Sequence, residues 1–414
     1  MANIINNSEI LVGLEKLGVI NLRPQQEAPL GAILAGEDVF TIMPTGGGKS
    51  LLFQLPSVMD TGRRLTLVIS PLRALQVDQA ASLHAKGVCT AVLNSDLSTT
   101  EHRTVLQDAV KHSGLLYLAP EQLQNPEVAG ALKQADVARI AVDEAHTLPQ
   151  VKDDFRSAYG KIGNFVGTLP QRPQLLALTA TATPDDVRRI RKSLGMSENT
   201  KVFRSPMRRR NLHLTIKQVK SDKTNTIRFQ AVERALSQWH QKGAVIIFAP
   251  TVKMVKHLHK WLLVRGYPVG KFHGKMKPRK RKKAQDAFIC GKKPIMVATN
   301  AFGLGIDKPD VRMVIHAGLP LSMDGYVQEI GRAGRDGKKS HCVLMYAKSD
   351  FERNKRILSR AGGKKAVRRK LKRLYALHNL IDSDGCLWRE IEHHFGEKNQ
   401  KRCGKCCNCV KKRK

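Results

Sequence analysis

The sequence is poor in acidic residues and contains no long apolar run. Its 414 residues include 35 Asp and Glu against 71 Lys and Arg, a formal net charge of +36. This excess is far beyond what solubility requires and indicates a polyanionic partner. No apolar stretch reaches the roughly 18 residues of a membrane span, and Asn6, Asn7 and Glu9 stand where a secretory signal would be basic and apolar. These absences argue against a membrane-spanning or secreted protein, and they favour nucleic acid over an anionic membrane as the partner.

A glycine-rich segment lies between the strand-like run Val39–Ile42 and the helix-like stretch Leu51–Leu55. It reads Met43-Pro44-Thr45-Gly46-Gly47-Gly48-Lys49-Ser50. A strand, a glycine loop and a helix start form a phosphate cradle, in which the backbone N–H groups of residues 45–50 surround the phosphates. Lys49 would reach the β- and γ-phosphates and Ser50 would ligate Mg²⁺. The segment predicts a nucleotide triphosphatase, although Met43 replaces the first glycine of the strict motif; the alternative is a glycine turn without a ligand.

Two adjacent carboxylates, Asp143 and Glu144, follow a short apolar strand-like run. Neighbouring acids repel each other unless a cation lies close to them. We assign Asp143 to the Mg²⁺ shell, and Glu144 to positioning and deprotonating the attacking water. Solvated acids that cap the next helix are the alternative, which the upstream glycine loop disfavours.

Strand-like runs alternate with helix-length polar stretches, and the length suits two to three domains of roughly 150 residues each. The first series of runs is Leu65–Ser70, Gly114–Leu118, Ile140–Val142 and Leu175–Leu178, with helices expected at Arg73–Lys86 and Pro184–Leu194. The second series is Ala244–Phe248, Val269–His273, Ile295–Thr299, Val311–His316 and Cys342–Tyr346. This order predicts an α/β fold of two tandem units with parallel sheets covered on both faces, joined by the basic stretch Phe203–Arg210.

The second unit has no phosphate loop but ends in Gln328–Gly337, which contains Arg332 and Arg335. Two arginines three residues apart would share one face of a helix. Directed at a γ-phosphate, they would stabilise charge that develops in the transition state. A surface ion network is the alternative interpretation.

Four of the eight cysteines form a spaced set, which is Cys386, Cys403, Cys406 and Cys409. The C-x2-C spacing lets one tight turn present thiolates to a tetrahedral Zn²⁺ ion. Disulfides would require an oxidising compartment, for which the sequence gives no sign. Cys407 lies inside the cluster and could either replace a ligand or remain a free thiol.

Seven segments resemble, in order, the motifs of superfamily 2 helicases and, within them, the RecQ family of DNA helicases. They are Pro44–Ser50, Val68–Gln79, Tyr117–Leu123, Ala141–His146, Leu178–Thr183, Val297–Pro309 and Gln328–Gly337. The resemblance implies two RecA-like lobes with ATP between them and single-stranded DNA across their top. It also implies 3′-to-5′ movement in DNA repair or recombination, and a zinc-binding module like the cysteine set. The expected domains are lobe 1 at 1–203, lobe 2 at 204–347 and a helical zinc-binding domain at 348–414.

The resemblance extends to an adenine-recognition motif. Arg23 and Gln26 match it, and Gln26 would read the edge of the base. The aromatic residue that stacks on the base in the family is Val19 here. A valine offers no ring for stacking, so we expect weaker or less selective ATP binding.

The loop after the acidic pair departs from the family pattern, since Val151 stands at the expected tryptophan. Base–aromatic stacking is worth ~1–3 kcal/mol per base, so we expect looser coupling between DNA binding and hydrolysis. The candidate DNA contacts are Arg73, Phe155, Arg156 and Thr299. The basic run Lys277–Lys283 is either a solvated loop or an added DNA contact.

The sequence ends at Lys414, soon after the cysteines, so we expect it to lack the winged-helix and HRDC modules of many RecQ proteins. The expected cofactors are ATP, Mg²⁺ and Zn²⁺, and the expected partners are single-stranded and tailed duplex DNA. We expect the cytoplasm or nucleoid of a bacterium, or a eukaryotic nucleus, as the location. The alternative functions are a superfamily 2 RNA remodeller and a DNA-binding zinc protein with weak ATPase activity.

Overall fold

The computed structural model describes residues 8–60, 62, 64–71, 73–94, 97–112, 114–147, 161–221, 224–239, 243–303, 308–360 and 363–411. The chain divides into two compact units, Met1–Pro206 and Met207–Lys414. Among the described helices, none combines the length and the apolar character needed to cross a membrane.

A parallel seven-stranded sheet forms the centre of the first unit. Its strands are β1 (Val39–Ile42), β2 (Leu65–Ile69), β3 (Thr90–Leu93), β4 (Gly114–Leu118), β5 (Val137–Val142), β6 (Gln174–Thr179) and β7 (Lys201–Arg204). They lie in the order β3-β4-β2-β5-β6-β1-β7, and neighbouring pairs run parallel. The helices are α1 (Ser8–Lys16), α2 (Pro24–Leu34), α3 (Leu51–Met59), α4 (Arg73–His84), α5 (Thr99–Lys111), α6 (Pro126–Gln134), α7 (Ile162–Val166) and α8 (Pro184–Leu194), with a 3₁₀ helix at Pro120–Gln124. Because strand residues alternate between the two faces, Phe40 and Ile42 enter one apolar core and Val39 enters the other.

A parallel six-stranded sheet forms the centre of the second unit. Its strands are β8 (Leu212–Gln218), β9 (Ala244–Phe248), β10 (Val269–Phe272), β11 (Ile295–Ala298), β12 (Val311–Ala317) and β13 (Ser340–Tyr346), in the order β10-β11-β9-β12-β13-β8. Its helices are α9 (Thr226–Trp239), α10 (Val252–Val264), α11 (Pro278–Ile289) and α12 (Met323–Ile330), with a 3₁₀ helix at Asn300–Gly303. The prediction of two parallel-sheet units is confirmed.

A helical region completes the second unit and shares one apolar core with its sheet. The helices are α13 (Lys348–Ser359), α14 (Lys364–Asp382), α15 (Leu387–His394) and α16 (Cys407–Lys411). Leu374, Trp388 and Phe395 of this region are buried in the same cluster as Leu214 and Phe248 of the sheet. The helical region is therefore stabilised by the sheet on which it packs.

Three of the described strands, β3, β7 and β8, were not predicted from the sequence, and each of them lies at an edge of its sheet. An edge strand lacks the continuous apolar run of a central parallel strand, and β7 is exposed or half-buried throughout. The interpretation of Phe203–Arg210 as a linker was therefore wrong in part, since Phe203 and Arg204 belong to β7. The main-chain N–H of Met207 already donates within the second unit, to Glu397 Oε1 at 2.8 Å.

Candidate nucleotide and zinc sites

The carboxyl ends of β1, β6 and β5 lie side by side, because these strands are neighbours in the first sheet. The glycine loop follows β1, a threonine-rich turn follows β6, and the acidic pair follows β5. Parallel strands bring such loops to one edge of a sheet, where α/β proteins bind ligands. The N–H of Met43 donates to the Thr179 carbonyl at 2.9 Å and joins two of the three loops. The structure thus brings the predicted phosphate and acidic residues together.

Two hydrogen bonds made by side chains hold the glycine loop in its conformation. Lys49 Nζ donates to the Met43 carbonyl at 3.1 Å, and Gln79 Nε2 donates to Ser50 Oγ at 3.0 Å. Met43 is fully buried, and a Cβ at Gly47 would lie 2.5 Å from Met43 Cγ. The Pro44 carbonyl oxygen would also lie 2.9 Å from that Cβ, so the core side chain that replaces the first glycine of the motif and the adjacent backbone together leave no room for a side chain at position 47.

Both adenine-motif residues contact the glycine loop directly. The Arg23 guanidinium donates to the Gly46 carbonyl, and Gln26 Nε2 donates to the Gly48 carbonyl at 2.9 Å. Gln26 Oε1 accepts the main-chain N–H of Arg23 at 2.8 Å. To read an adenine, Gln26 would exchange these bonds for bonds to the base. Val19 is half-buried and packs against the adjacent apolar core.

The acidic pair occupies an electrostatically stressed position. Asp143 is buried, and its N–H donates to the Ile69 carbonyl at 2.9 Å. Burial, reinforced by the charge of Glu144, raises the pKa of Asp143 to about 6, and Lys49 opposes this shift. Glu144 has a φ of 49°, a left-handed conformation that non-glycine residues rarely adopt and that is concentrated at functional sites.

His146 and Thr179 lie beside the acidic pair, although the sequence pattern assigned them no role. His146 Nδ1 lies 3.2 Å from Glu144 Oε2 and 3.1 Å from Thr179 Oγ1. Thr179 Oγ1 in turn donates to the Thr181 carbonyl at 3.0 Å. Their positions inside the AVDEAH and LTATAT segments were a usable signal, but only the sheet order shows that these segments meet.

Arg332 and Arg335 lie in turns beyond α12, so the prediction that they share a helix face was wrong. The helix ends at Ile330, and the segment Gly331–Gly337, here called the arginine loop, has no regular structure. Glycines at three of its positions favour turns over helix. Gly334 has a φ of 55°, and a Cβ there would lie 2.4 Å from Asn211 Nδ2.

The described candidate DNA contacts belong to different units. Arg73 is exposed at the start of α4, and Thr299 is half-buried directly after β11. Phe155 and Arg156, like Val151, lie outside the described residues.

Lys277 caps the N-terminus of α11, and the rest of the basic run, residues 278–283, lies within this helix and not in a loop. Its cations are exposed except for the half-buried Arg281. Within the described residues, no carboxylate lies within 4.0 Å of them. Lys256, Lys271 and Lys275 add positive charge around His273. Burial and the charges of these lysines lower the pKa of His273.

The sulfur atoms of the four predicted zinc ligands, Cys386, Cys403, Cys406 and Cys409, lie within 4.8 Å of one another. Cys403 Sγ and Cys409 Sγ are 3.8 Å apart. A tetrahedron with Zn–S bonds of about 2.3 Å has an edge of about 3.8 Å. The N–H of Cys403 donates to Cys386 Sγ at 3.1 Å, and that of Cys406 donates to Cys403 Sγ at 3.2 Å, as expected where thiolate charge is stabilised. The donor set fits a structural zinc ion.

Cys407 is outside this set of four thiols. Its Sγ contacts Asn408 Oδ1 at 3.3 Å. Asn408 Nδ2 donates to the carbonyls of Ser383 and Gly385, at 2.7 and 2.9 Å, and so fixes the turn before Cys386. Of the two roles considered for Cys407, the geometry favours the free thiol.

Three family descriptions match consecutive parts of the chain. A DEAD/DEAH box helicase domain matches residues 23–190, and a helicase conserved C-terminal domain matches residues 227–337. A RecQ zinc-binding domain matches residues 348–410, which include all four clustered thiols.

The similarity to individual proteins covers most of the chain. The ATP-dependent DNA helicase RecQ of Bacillus subtilis is 36% identical over 388 residues, 93% of this chain and 64% of that protein. The RecQ helicase of Synechocystis is 36% identical over 391 residues, 91% of this chain and 79% of that protein. The Mycobacterium smegmatis helicase Lhr, in a structure with single-stranded DNA and AMP-PNP, has a TM-score of 0.67 at 19% identity, over 95% of this chain and 56% of that one. The chain therefore spans less than two thirds of the Bacillus relative, and the likeness to Lhr concerns the fold.

Proposed function

Because the chain belongs to the RecQ family of ATP-dependent DNA helicases, we propose that it couples ATP hydrolysis to 3′-to-5′ movement on single-stranded DNA. The proposed setting is DNA repair or recombination. One observation carries the proposal: the phosphate loop and the acidic pair meet at one sheet edge, where Lys49 acts electrostatically on Asp143. The net charge of +36 supports a nucleic acid as the substrate.

In this proposal the residues of the first unit bind and orient the nucleotide. Lys49 contacts the β- and γ-phosphates, and Glu144 positions the attacking water and accepts its proton. Mg²⁺, held by Ser50 and Asp143, would neutralise phosphate charge. Arg332 and Arg335 of the second unit would stabilise the charge that develops on the γ-phosphate.

A helicase of this polarity should unwind a duplex with a 3′ single-stranded tail faster than the same duplex with a 5′ tail. Strand separation and ATP turnover are both measured on the same preparation, with Glu144→Gln as the inactive control. Competition between DNA and RNA strands of equal length tests the RNA alternative. The proposal fails if the 5′-tailed duplex is unwound equally well or if RNA is the better competitor.

Binding of Mg²⁺ and nucleotide should weaken as the pH falls below about 6. Asp143 is largely protonated there in the metal-free protein, so the metal must displace a proton. Its folded-state pKa lies above the ordinary value of 3.8, so its contribution to stability is present below pH 3.8 and is lost as pH rises through about 6. Bound Mg²⁺ would offset that loss.

The affinity for Mg²⁺ and ADP, measured by calorimetry across this pH range, checks the prediction. The Asp143→Asn variant should bind more weakly but should keep only the shallower pH dependence of the nucleotide phosphates. Identical pH profiles for the two proteins would contradict the role of Asp143.

A further inference from the structure

The arginine loop is held by two residues that precede β8. Arg209 Nη2 donates to the carbonyls of Ala333 and Gly334, at 3.2 and 2.6 Å. Asn211 Nδ2 donates to the Gly334 carbonyl at 2.8 Å. These carbonyls belong to the two residues between Arg332 and Arg335, so Arg209 and Asn211 fix the backbone from which both guanidinium groups project.

Other contacts of the loop come from the sheet itself. The N–H of Gly334 donates to the Val311 carbonyl at 2.8 Å, and Arg312 pairs with Asp336. Gly334 leaves no room for a side chain, because Ser340 Oγ would lie 2.7 Å from an added Cβ. Burial lowers the pKa of Arg209, and the charge of the nearby Arg335 lowers it further. The Arg209 guanidinium is thus held close to the charge of Arg335. Its hydrogen bonds to the loop carbonyls offset the repulsion between the two positive charges.

The same short segment, Met207–Leu212, here called the bracing segment, is bound on its other side by the helical zinc region. Arg208 Nε donates to Glu392 Oε1 at 2.9 Å, and both side chains are largely buried, at 15% and 1% exposure. Lys405 Nζ donates to the Arg210 carbonyl at 3.2 Å, and Trp388 Nε1 donates to the Leu212 carbonyl at 3.3 Å. Neighbouring residues of one segment therefore hold the arginine loop and the zinc region respectively.

We propose that Arg209 and Asn211 are positioning residues for ATP hydrolysis, and that the bracing segment fixes the arginine loop relative to the zinc region. The inference rests on the proposed role of Arg332 and Arg335. Because those arginines act on charge in the transition state, their misplacement slows turnover without weakening nucleotide binding. A displacement of about 1 Å is enough for a large loss of rate.

The test compares Arg209→Lys with Arg210→Lys. The first keeps the charge but removes the forked donor, whereas Arg210 is an exposed arginine of the same segment. We expect Arg209→Lys to lower the kcat for ATP about tenfold to hundredfold, with KM, zinc content and melting temperature nearly unchanged. Arg210→Lys should match the parent protein. Asn211→Asp, which replaces the donor by an acceptor, provides a second variant should Arg209→Lys fail to fold.

Combined variants separate a positioning role from a structural one. If Arg209 acts through the loop, adding Arg209→Lys to Arg335→Ala should cause little further loss of kcat, since coupled residues are not additive. Full additivity, or a change in KM and melting temperature with normal kcat, would overturn the inference. If Arg332→Ala and Arg335→Ala themselves leave kcat unchanged, the proposed arginine role fails instead.

Discussion

Replacing Lys49 by alanine should reduce ATP turnover by about 10³-fold or more, because the proposed site then lacks the preorganised cation that would contact the charge developing on the phosphates. Lys49 is half-buried in the glycine loop and donates to the Met43 carbonyl at 3.1 Å. Its removal leaves the buried strand β1 and the Gly47–Met43 packing in place. We therefore expect a folded protein that keeps its DNA affinity. Steady-state ATPase assays and DNA-binding titrations on the same preparation measure both properties.

Lys86→Ala is the matched control for this variant. Lys86 Nζ also donates to a main-chain carbonyl of the first unit, that of Leu17, at 2.6 Å. Its loss should lower stability by about 1 kcal/mol and leave turnover unchanged. Substantial ATPase activity in Lys49→Ala would contradict the assignment of the cradle, and a parent protein without measurable turnover would remove the motor proposal.

Replacing Cys406 by serine should abolish stable zinc binding and lower the melting temperature of the second unit by about 10 °C or more. Cys386, Cys406 and Cys409 belong to the apolar cluster that also contains Trp388 and Phe395. Without the ion, polar thiol groups stay crowded within 4.8 Å of one another inside that cluster. The first unit has its own cores and should keep its unfolding transition.

Cys407→Ser provides the control, because this thiol is adjacent in sequence but outside the four-thiol set. It should retain one equivalent of zinc and a melting temperature close to that of the parent. Metal analysis and scanning calorimetry of the two variants test the assignment. Equal zinc content in both proteins, or loss in Cys407→Ser alone, would show that the ligand set is wrong.

Sequence patterns predicted those parts of the sites that depend on neighbours along the chain. The glycine loop, the acidic pair and the last three cysteines of the zinc set each lie within a few residues, so residue type and spacing identify their chemistry. Central strands such as β4 and β9 were predicted with their bounds, since burial on both faces demands an unbroken apolar run.

Features that depend on tertiary contacts were not predictable in this way. The contact of His146 with Thr179 and the hydrogen bond from Arg209 to Gly334 each join segments that only the fold brings together. The prediction that Arg332 and Arg335 share a helix face was wrong because it used only their spacing of three residues. The glycines of the arginine loop favour turns over helix. Edge strands such as β7 were not predicted because the sequence of a half-exposed strand is as polar as that of a loop.

The contacts of the bracing segment also affect the order in which the two units can fold during translation. Met207 and Arg208 bond to Glu397 and Glu392, which lie 190 and 184 positions later in the chain. The first unit is continuous in sequence and can fold while its successor is still being translated. The second cannot close this contact until residues 392–405 have left the ribosome, so a nascent chain arrested before that point should expose the apolar surface that Trp388 and Phe395 later cover.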